Sequence, residues 1–417
     1  MGNKETGGLL LSGLRAFVSG LALLALAAAP GGAQIDPEKR QLVHAGYDLP
    51  LSGVGPPSAY LFYYRNQPRF LRPDLTLRFA AAPAYLDSEL GVEGVFGGRT
   101  DVGLGLAGGG FAESYAEVRG GQYLHGESFI GNSAAVSLSA YRRLDPGWRI
   151  PLNGVLRLNE RRAVYERRVE TAPAFALPPD HLETCLRAGL RLGGAEPELE
   201  PARSAELSVW YEGVLRDHEG TYGFAGDRRL RRFVQNFWTR ARASWTSKTK
   251  RRFEAAIESG SSRLADRLSA YRLGGVLPFA SEFPLMLPGY YGGELSARRY
   301  VLMSALAAAP VGAGFSARLF AGSANVTFVE SMGQPRPWNS GAGAGLGYAS
   351  RGGVWRADLN YAYGIDALRS GGRGAHAVSL LAQIDIEAWK RLLPAPTTPK
   401  SPSRPEGMEW IFQRISP

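Results

Sequence analysis

Apolar and polar side chains alternate residue by residue along much of this chain, which limits the fold to sheets with two chemically different faces. The alternation is clearest in the stretch F-V-Q-N-F-W-T-R-A-R-A-S-W, residues 233–245. Successive strand residues point to opposite faces, so one face carries Phe233, Phe237, Ala241, Ala243 and Trp245, and the other Asn236, Arg240, Arg242 and Ser244. Aromatic residues lie at both ends of the apolar face, as on a strand that crosses a bilayer. A half-buried strand of a soluble sandwich alternates in the same way, so this segment alone leaves both folds open.

The same alternation recurs from one end of the chain to the other. Long examples are Leu186–Leu192, Ala205–Leu215, Trp355–Tyr363 and Val378–Ile386, and shorter ones are Leu75–Ala81, Val102–Leu106, Val136–Ala140, Leu152–Leu158 and Phe253–Ile257. The polar faces carry both signs of charge, as a water-filled lumen requires. The apolar faces are rich in Ala and Gly, which would underfill a soluble core. Short links such as 247–250 follow long ones such as 216–231, as in outer-membrane barrels.

These observations favour a membrane barrel over a soluble sandwich. At roughly 20 residues per strand and connection, the region 75–389 accommodates about 16 strands. A sheet in lipid must close, because an unpaired edge would leave peptide groups without partners. We therefore predict an all-β fold: a closed transmembrane antiparallel β-barrel of about 16 strands with an inward-folded lumen loop.

Composition agrees with a barrel and offers few residues for cofactor chemistry. There are 53 Gly, 18 Phe and 18 Tyr against five Met and one Cys, and the net charge is +10. The single Cys185 excludes an intramolecular disulfide, and the histidines have no ligand spacing: His44, His125, His181, His218 and His376. We predict no metal or other cofactor and no nucleic-acid partner. The positive charge is expected to meet outer-membrane lipid and lipopolysaccharide.

The two ends of the chain differ in composition from the barrel region. Lys4 and Arg15 precede an apolar run, 16–29, which indicates a secretory signal peptide over residues 1–33. Residues 34–74 are interpreted as a periplasmic N-terminal segment with room for a first strand. Residues 390–417 form a Pro-rich tail whose apolar patch around Trp410 leaves room for a periplasmic or outer-membrane protein partner. The expected location is the outer membrane of a Gram-negative-type bacterium.

The last third of the chain carries a more specific pattern. Tyr271-Arg-Leu-Gly-Gly275 precedes a segment, 278–299, that contains Leu287-Pro-Gly-Tyr-Tyr291. Five strand candidates follow: 297–309, 314–328, 341–350, 353–363 and 375–389. This order resembles the barrel of the BamA/TamA-type outer-membrane insertase superfamily, also called the bacterial surface antigen barrel. The resemblance implies a lumen loop containing Gly274, Gly275, Leu287, Pro288, Gly289, Tyr290 and Tyr291.

The chain departs from that family in several places. The family's loop tip carries an Arg that pairs with an acidic residue on a barrel strand, whereas Pro288 and Ala321 stand near those positions here. The stretch between Ala33 and Leu75 is too short for one of the family's periplasmic POTRA modules, so the resemblance implies a member lacking them. It also implies an aromatic end to the last strand, for which Trp389 is the candidate, and a weak seam between the first and last strands.

Charged residues on the polar faces are the main site candidates. Those expected in the lumen are Arg240, Arg242, Arg318, Arg356, Asp358, Asp385 and Glu387. They could hold the loop and set ion preference, or pair across neighbouring strands, and the sequence leaves both open. The run Arg228–Arg232 is placed in an external loop, where it could contact lipopolysaccharide phosphates or form a solvated edge.

Two motifs typical of enzymes have ordinary explanations. Gly103–Gly108 matches G-x-G-x-x-G, but no helical period follows it, so the glycines are assigned to a strand and its loop. Ser128 with His125 is the nearest candidate for a lipid hydrolase, a distant third hypothesis. We predict a non-enzymatic barrel with a structural or membrane-biogenesis role. The alternative is a passive or gated pore for ions or small solutes.

Overall fold

A computed structural model describes residues 38–96, 99–144, 150–193 and 203–392. These residues form an almost entirely β structure whose 16 long strands close into one antiparallel barrel. The strands are β1 Arg40–Pro50, β2 Ser58–Pro68, β3 Leu75–Ala82, β4 Tyr85–Val92, β5 Thr100–Gly109, β6 Phe129–Leu144, β7 Leu152–Arg167, β8 His181–Gly193, β9 Arg203–Arg216, β10 Phe233–Thr246, β11 Arg252–Arg263, β12 Leu295–Gly312, β13 Phe315–Phe328, β14 Trp338–Ala349, β15 Trp355–Arg369 and β16 Gly372–Asp385. The predicted fold class is confirmed.

The alternation in sequence becomes the two faces of the barrel wall. On β10, Phe237 and Trp245 are exposed on the outer face, whereas Asn236, Trp238 and Ser244 are buried on the inner face. Outer aromatic rings meet across strands near both ends, with Tyr211–Phe237 centroids 4.9 Å apart at one end and Trp245–Phe253 centroids 6.0 Å apart at the other. Such paired girdles are typical of transmembrane barrels.

The connections alternate in length around the barrel. Short turns such as 247–251 and 313–314 lie at the end that also holds Arg40 and Asp385, which we call the turn end. The long connections 110–128, 168–180, 217–232 and 264–294 lie at the opposite end, which we call the loop end. The alternation expected from the sequence is therefore present between β5 and β13, whereas 83–84 and 370–371 are short turns at the loop end.

The barrel begins earlier than the sequence interpretation placed it. Residues 34–74, taken as a periplasmic segment with room for a first strand, contribute two full strands, β1 and β2. Strand β1 follows the same rule as the others: Leu42, His44 and Asp48 are buried inside while Tyr47 is exposed outside. The barrel thus starts at Arg40 and not at Leu75. The proposed signal peptide, 1–33, lies outside the described residues.

The end of the barrel also differs from the expectation. The last strand stops at Asp385, whose Oδ1 accepts the Ala388 N–H at 2.9 Å and so caps a short helix, α1 Ile386–Leu392. Trp389 is exposed on this helix and does not end the strand. Tail residues from 393 onward lie outside the described residues. No helix in the described part of the chain is long and apolar enough to span a bilayer.

The seam between the first and last strands is hydrogen-bonded along most of its length. β1 pairs with β16 from Leu42–Asp385 to Pro50–Ala377, so this contact is as long as several others in the wall. The shortest register belongs to β2 and β3, from Tyr63–Ala81 to Pro68–Thr76. The weak point implied by the resemblance therefore does not lie at the seam in this structure.

Candidate gate in the barrel lumen

The connection 274–294, which we call the gate loop, folds into the barrel from the loop end. It begins at Gly274 and Gly275, and Gly275 has a φ of +71°, a conformation that favours glycine. The Gly275 N–H donates to the Tyr290 carbonyl at 3.1 Å, and the Leu287 N–H donates to the Gly275 carbonyl at 2.9 Å. These bonds close the loop on itself. The sequence interpretation had placed 278–299 in the loop. In the structure β12 already begins at Leu295, where the chain joins the strand pairing of the barrel wall.

The tip of the gate loop rests in a trough of glycines on the inner wall. Gly322 of β13, Gly341 of β14 and Gly364 of β15 line this glycine trough, and Leu287 and Tyr290 pack beside it with almost no exposure. A Cβ atom at Gly322 would lie 3.1 Å from Pro288 Cδ, and one at Gly364 would lie 2.9 Å from the Gly289 carbonyl oxygen. Only strands without side chains at these points admit the tip. Ala321, by contrast, faces outward.

A Gly341→Ala variant should disturb this fit, because the added methyl group would overlap the Pro288 carbonyl. Overpacking of this kind typically costs about 1–3 kcal/mol, so we expect a lower unfolding midpoint, read from the band shift of heated samples on semi-native gels. Gly333→Ala is the matched control, since nothing lies near that position. Equal midpoints for the two variants would show that the trough does not hold the tip.

A buried ion pair fixes the base of the gate loop to the wall. Arg369, the last residue of β15, donates from Nη1 to both Glu294 carboxylate oxygens at 2.9 and 3.1 Å. Its guanidinium lies 3.6 Å from the Tyr291 ring centroid, and the Tyr291 N–H donates to Glu294 Oε2 at 2.8 Å. Burial raises the pKa of Glu294, and Arg369 opposes the shift. We call the Arg369–Glu294 pair the latch.

The latch has the opposite polarity to the pair that the family resemblance implied. There the loop supplies the arginine and the strand the acid, whereas here Glu294 belongs to the loop and Arg369 to the wall. Sequence reasoning noted the missing loop arginine but did not find this replacement. The one local indication was an acid directly after Tyr291-Gly-Gly, at the loop's end.

The middle of the gate loop crosses the lumen and meets the other walls. Phe283 packs against Trp210 and Trp238, with centroids 5.3 Å away in each case, and Glu282 accepts a hydrogen bond from Arg187 at 2.5 Å. On another side, Phe279 lies 4.5 Å from the His44 ring on β1. The loop is thus anchored on three parts of the wall.

The external connections form a packed cap above the gate loop. Tyr115, Phe129, Phe175 and Tyr222 make an aromatic core. Beside it the buried carboxylate of Glu117 lies between arginines, 3.3 Å from Arg119, 3.3 Å from Arg228 and 2.8 Å from Arg267. Arg272 joins cap to gate, because it donates to the Ala116 carbonyl at 2.6 Å and to the Gly293 carbonyl at 2.9 Å.

This cap changes the interpretation of Arg228–Arg232. Arg228 is buried between Glu117, Glu127 and the Phe175 ring, so it is neither a solvated edge nor free to meet lipopolysaccharide. Burial lowers the pKa of Arg228 to about 10, with Glu117 opposing and Arg267 adding to the shift. Arg229 and Arg232 remain exposed.

The predicted lumen charges divide into two groups. Arg240 pairs with Glu258 at 3.0 Å, Arg242 pairs with Glu254, and Arg318 reaches Asp358 across β14, whose Gly347 leaves room between them. Arg356 shares the inner face of β15 with Asp358. These five positions lie on the inner wall, and their ion pairs agree with the interpretation that the charges pair across neighbouring strands.

The other two predicted charges do not line the lumen wall. Asp385 caps α1, and Glu387 lies on that helix, 3.3 Å from Lys39 and 3.2 Å from Lys390. The period-two pattern was extended too far, because the chain leaves the sheet at Asp385. The residues that reach the gate loop, Arg187 and Arg369, were missed, since their partners come from distant parts of the sequence.

The enzyme-like motifs have structural roles. Ser128 is fully buried, and its hydroxyl donates to the Leu124 carbonyl at 2.8 Å and accepts from the Glu117 N–H at 3.0 Å. The His125 ring contacts the Tyr123 ring instead, with the two ring centroids 4.1 Å apart. Gly103–Gly108 lies within β5. In the described ranges no group of three His, Cys, Asp or Glu side chains could hold a metal ion.

A closed antiparallel barrel of 16 strands with aromatic girdles and an internal loop is the architecture of outer-membrane barrels. The chain is similar to CdiB from Acinetobacter baumannii, with a TM-score of 0.54 and 9% identity over 84% of this chain and 60% of that one. BamA from Haemophilus ducreyi lacking POTRA domains 1–3 gives 0.54, with 12% identity over 84% and 71%. CdiB from Escherichia coli gives 0.53, with 12% identity over 82% and 62%.

These similarities confirm the barrel fold that the sequence resemblance implied, and at such identity they show the fold alone. The chain spans about three fifths of the two CdiB chains, at 60% and 62%. No protein-family model matches the sequence, and no curated protein matches it either.

Proposed function

We propose that this chain is a bacterial outer-membrane barrel with a role in membrane biogenesis, and that the gate loop controls access to its lumen. The observation that carries the proposal is the latch together with the glycine trough. Glycines on three neighbouring strands and a buried arginine are positioned to accept one loop. A wall that holds one loop in a fixed position is expected of a barrel whose lumen is opened and closed by that loop.

The cap supports the same proposal. A passive porin needs an open mouth at both ends, whereas the cap and the gate loop form one connected unit through Arg272. The aromatic core and the buried arginine cluster around Glu117 pack the cap tightly over the loop end. Opening the barrel would require the cap, the gate loop or the wall to move.

A gated pore for ions or small solutes is the second candidate. The specific observation in its favour is the charged inner wall, where pairs such as Arg240–Glu258 and Arg191–Glu206 follow the lumen. Paired charges of both signs keep a lumen wet without strong selectivity for either sign of ion. In this case the gate loop would regulate solute flow.

Single-channel recording tests the role of the gate loop. The full chain in a planar bilayer should give small, flickering currents, and replacing 277–293 with a short Gly-Ser linker should enlarge them several-fold, because the lumen loses its main obstruction. The control removes Gly333 and Gln334 from the connection 329–337 and leaves its buried residues Val329 and Met332 in place. A large, steady conductance that is the same with and without 277–293 would favour a plain porin and contradict the gate.

Depletion of the protein in its native host separates the two candidates. A biogenesis role predicts lower amounts of other folded outer-membrane barrels, measured by quantitative mass spectrometry of purified outer membranes. Unchanged levels, together with a defect only in solute uptake, would overturn the biogenesis proposal in favour of the pore.

A further inference from the structure

Three arginines come together on the outer surface of the wall, away from the gate. Arg263 is the last residue of β11, and Arg298 and Arg299 lie near the start of β12. The β12–β13 register shifts between Ala297 and Arg299, and both Arg298 and Arg299 are exposed. A regular strand would turn one of them inward, so the bulge at this point redirects a charged side chain to the outer face.

These arginines line a groove. Its walls are Gln235, Ser262, Arg263, Leu264, Arg298 and Arg299. The groove opens where β11 and β12 separate, since their pairing ends at Ser261–Arg299. A second groove continues from it along the outer wall and brings further polar side chains, among them Thr239, Ser259, Asn325 and Thr327. Neither lining includes a carboxylate.

The groove lies at the level of the membrane surface. Ser261 is paired with Phe237 on one side and with Arg299 on the other. Phe237 and Tyr211 belong to the loop-end aromatic girdle. Aromatic girdles mark the interface between acyl chains and headgroups, so the three guanidinium groups stand where lipid phosphates are found.

The groove is prepared for a ligand that the described chain does not supply. Within the described ranges, Arg263, Arg298 and Arg299 make no ion pair, unlike the arginines of the inner wall. The Ser262 side chain does not belong to this outer group, because Ser262 pairs with Asn236 and lies, like it, on the buried inner face. A phosphate in the groove would supply the acceptors and the counter-charge that these three guanidinium groups lack in the described ranges.

We propose that Arg263, Arg298 and Arg299 bind the phosphate of an anionic lipid headgroup in the outer leaflet. Guanidinium groups bind phosphate oxygens in a bidentate manner. The acyl chains would lie along the apolar outer wall beside Phe237 and Val301. The site rests on the membrane location proposed above but not on the gate.

Lipid retention by the purified full chain tests this site. The protein is incubated in detergent with phosphorylated lipid A, phosphatidylglycerol or phosphatidylcholine, and bound lipid is measured by native mass spectrometry. We expect the phosphate-exposing anionic lipids to be retained over phosphatidylcholine. The double variant Arg298→Gln, Arg299→Gln should bind them roughly tenfold or more weakly, because each guanidinium contributes charge-assisted hydrogen bonds.

The matched control is Arg229→Gln with Arg232→Gln, which removes the same charge from exposed arginines of the external connection 217–232. Retention must survive in this control. Equal losses in the two double variants would overturn the site, because net charge alone would then explain binding. The lipid site would also be overturned if inorganic phosphate displaced the lipid at concentrations as low as that of the lipid itself. The groove would then be a site for the free ion. If the chain stays soluble without detergent, the proposed membrane location itself is wrong.

Discussion

Replacing Arg369 with alanine should free the base of the gate loop and lower the free energy of unfolding by about 3–5 kcal/mol, the usual cost of leaving one member of a buried ion pair uncompensated. Glu294 would remain fully buried beside Tyr291 with its carboxylate unmatched. The loss is measurable as a lower unfolding temperature of the detergent-solubilised barrel. Larger and more frequent channel openings should accompany it.

Two further variants make this test specific. Arg373→Ala removes an exposed arginine a few residues away, on β16, and should leave both stability and conductance unchanged. Exchanging the charges, with Arg369→Glu and Glu294→Arg together, should recover part of the loss, because the pair is restored in reverse. The latch is only a structural contact if two results are found together. The charge-exchanged variant would be no more stable than either single variant, and Arg369→Ala would not increase the size or frequency of channel openings.

Neutralising Glu117 should have a comparable effect on the cap. A Glu117→Gln variant keeps the shape of the side chain but leaves Arg228 and Arg267 buried without their shared counter-charge. We expect a loss of about 3–5 kcal/mol, concentrated in the external connections, and faster cleavage of 110–128 and 217–232 by added protease. The barrel strands should stay protected, since their hydrogen bonds do not involve Glu117.

Glu219→Gln is the matched control for the cap, because Glu219 is an exposed acid of the external connection 217–232, which also belongs to the cap. Cleavage rates that change equally in both variants would mean that the Glu117 cluster does not hold the cap together. An unchanged rate in both would lead to the same conclusion.

The wall of this barrel was largely predictable because its faces follow a local rule. Each strand repeats a two-residue period that any window of the sequence displays, and Phe233–Thr246 is one such strand. The same rule holds for β1, where Tyr47 points out and Asp48 points in. The sequence interpretation left room for one strand in 34–74 but otherwise assigned this segment to the periplasm, whereas the structure has two strands there. The rule also failed at Asp385, where a cap and not a change of hydropathy ends the sheet.

The latch and the cap were not predictable, because they depend on contacts between distant parts of the chain. Glu294 and Arg369 are 75 positions apart, and Glu117 and Arg267 are 150 apart. Nothing near Arg369 distinguishes it from the other arginines at strand ends. The loop residues themselves were easier to predict, since the glycines and aromatics at Gly274–Tyr291 resemble the pattern of a known family. Their partners became visible only when the strands were arranged around the lumen.

The reversed polarity of the latch makes the loop and its wall a matched set. In a chimera that received the loop of a relative with an arginine at its tip, that arginine and Arg369 would compete for acidic partners in the same confined space. A loop from this chain placed in such a relative would bring Glu294 toward an acidic strand. Loop and wall would therefore have to be transplanted together for either barrel to keep its charges paired.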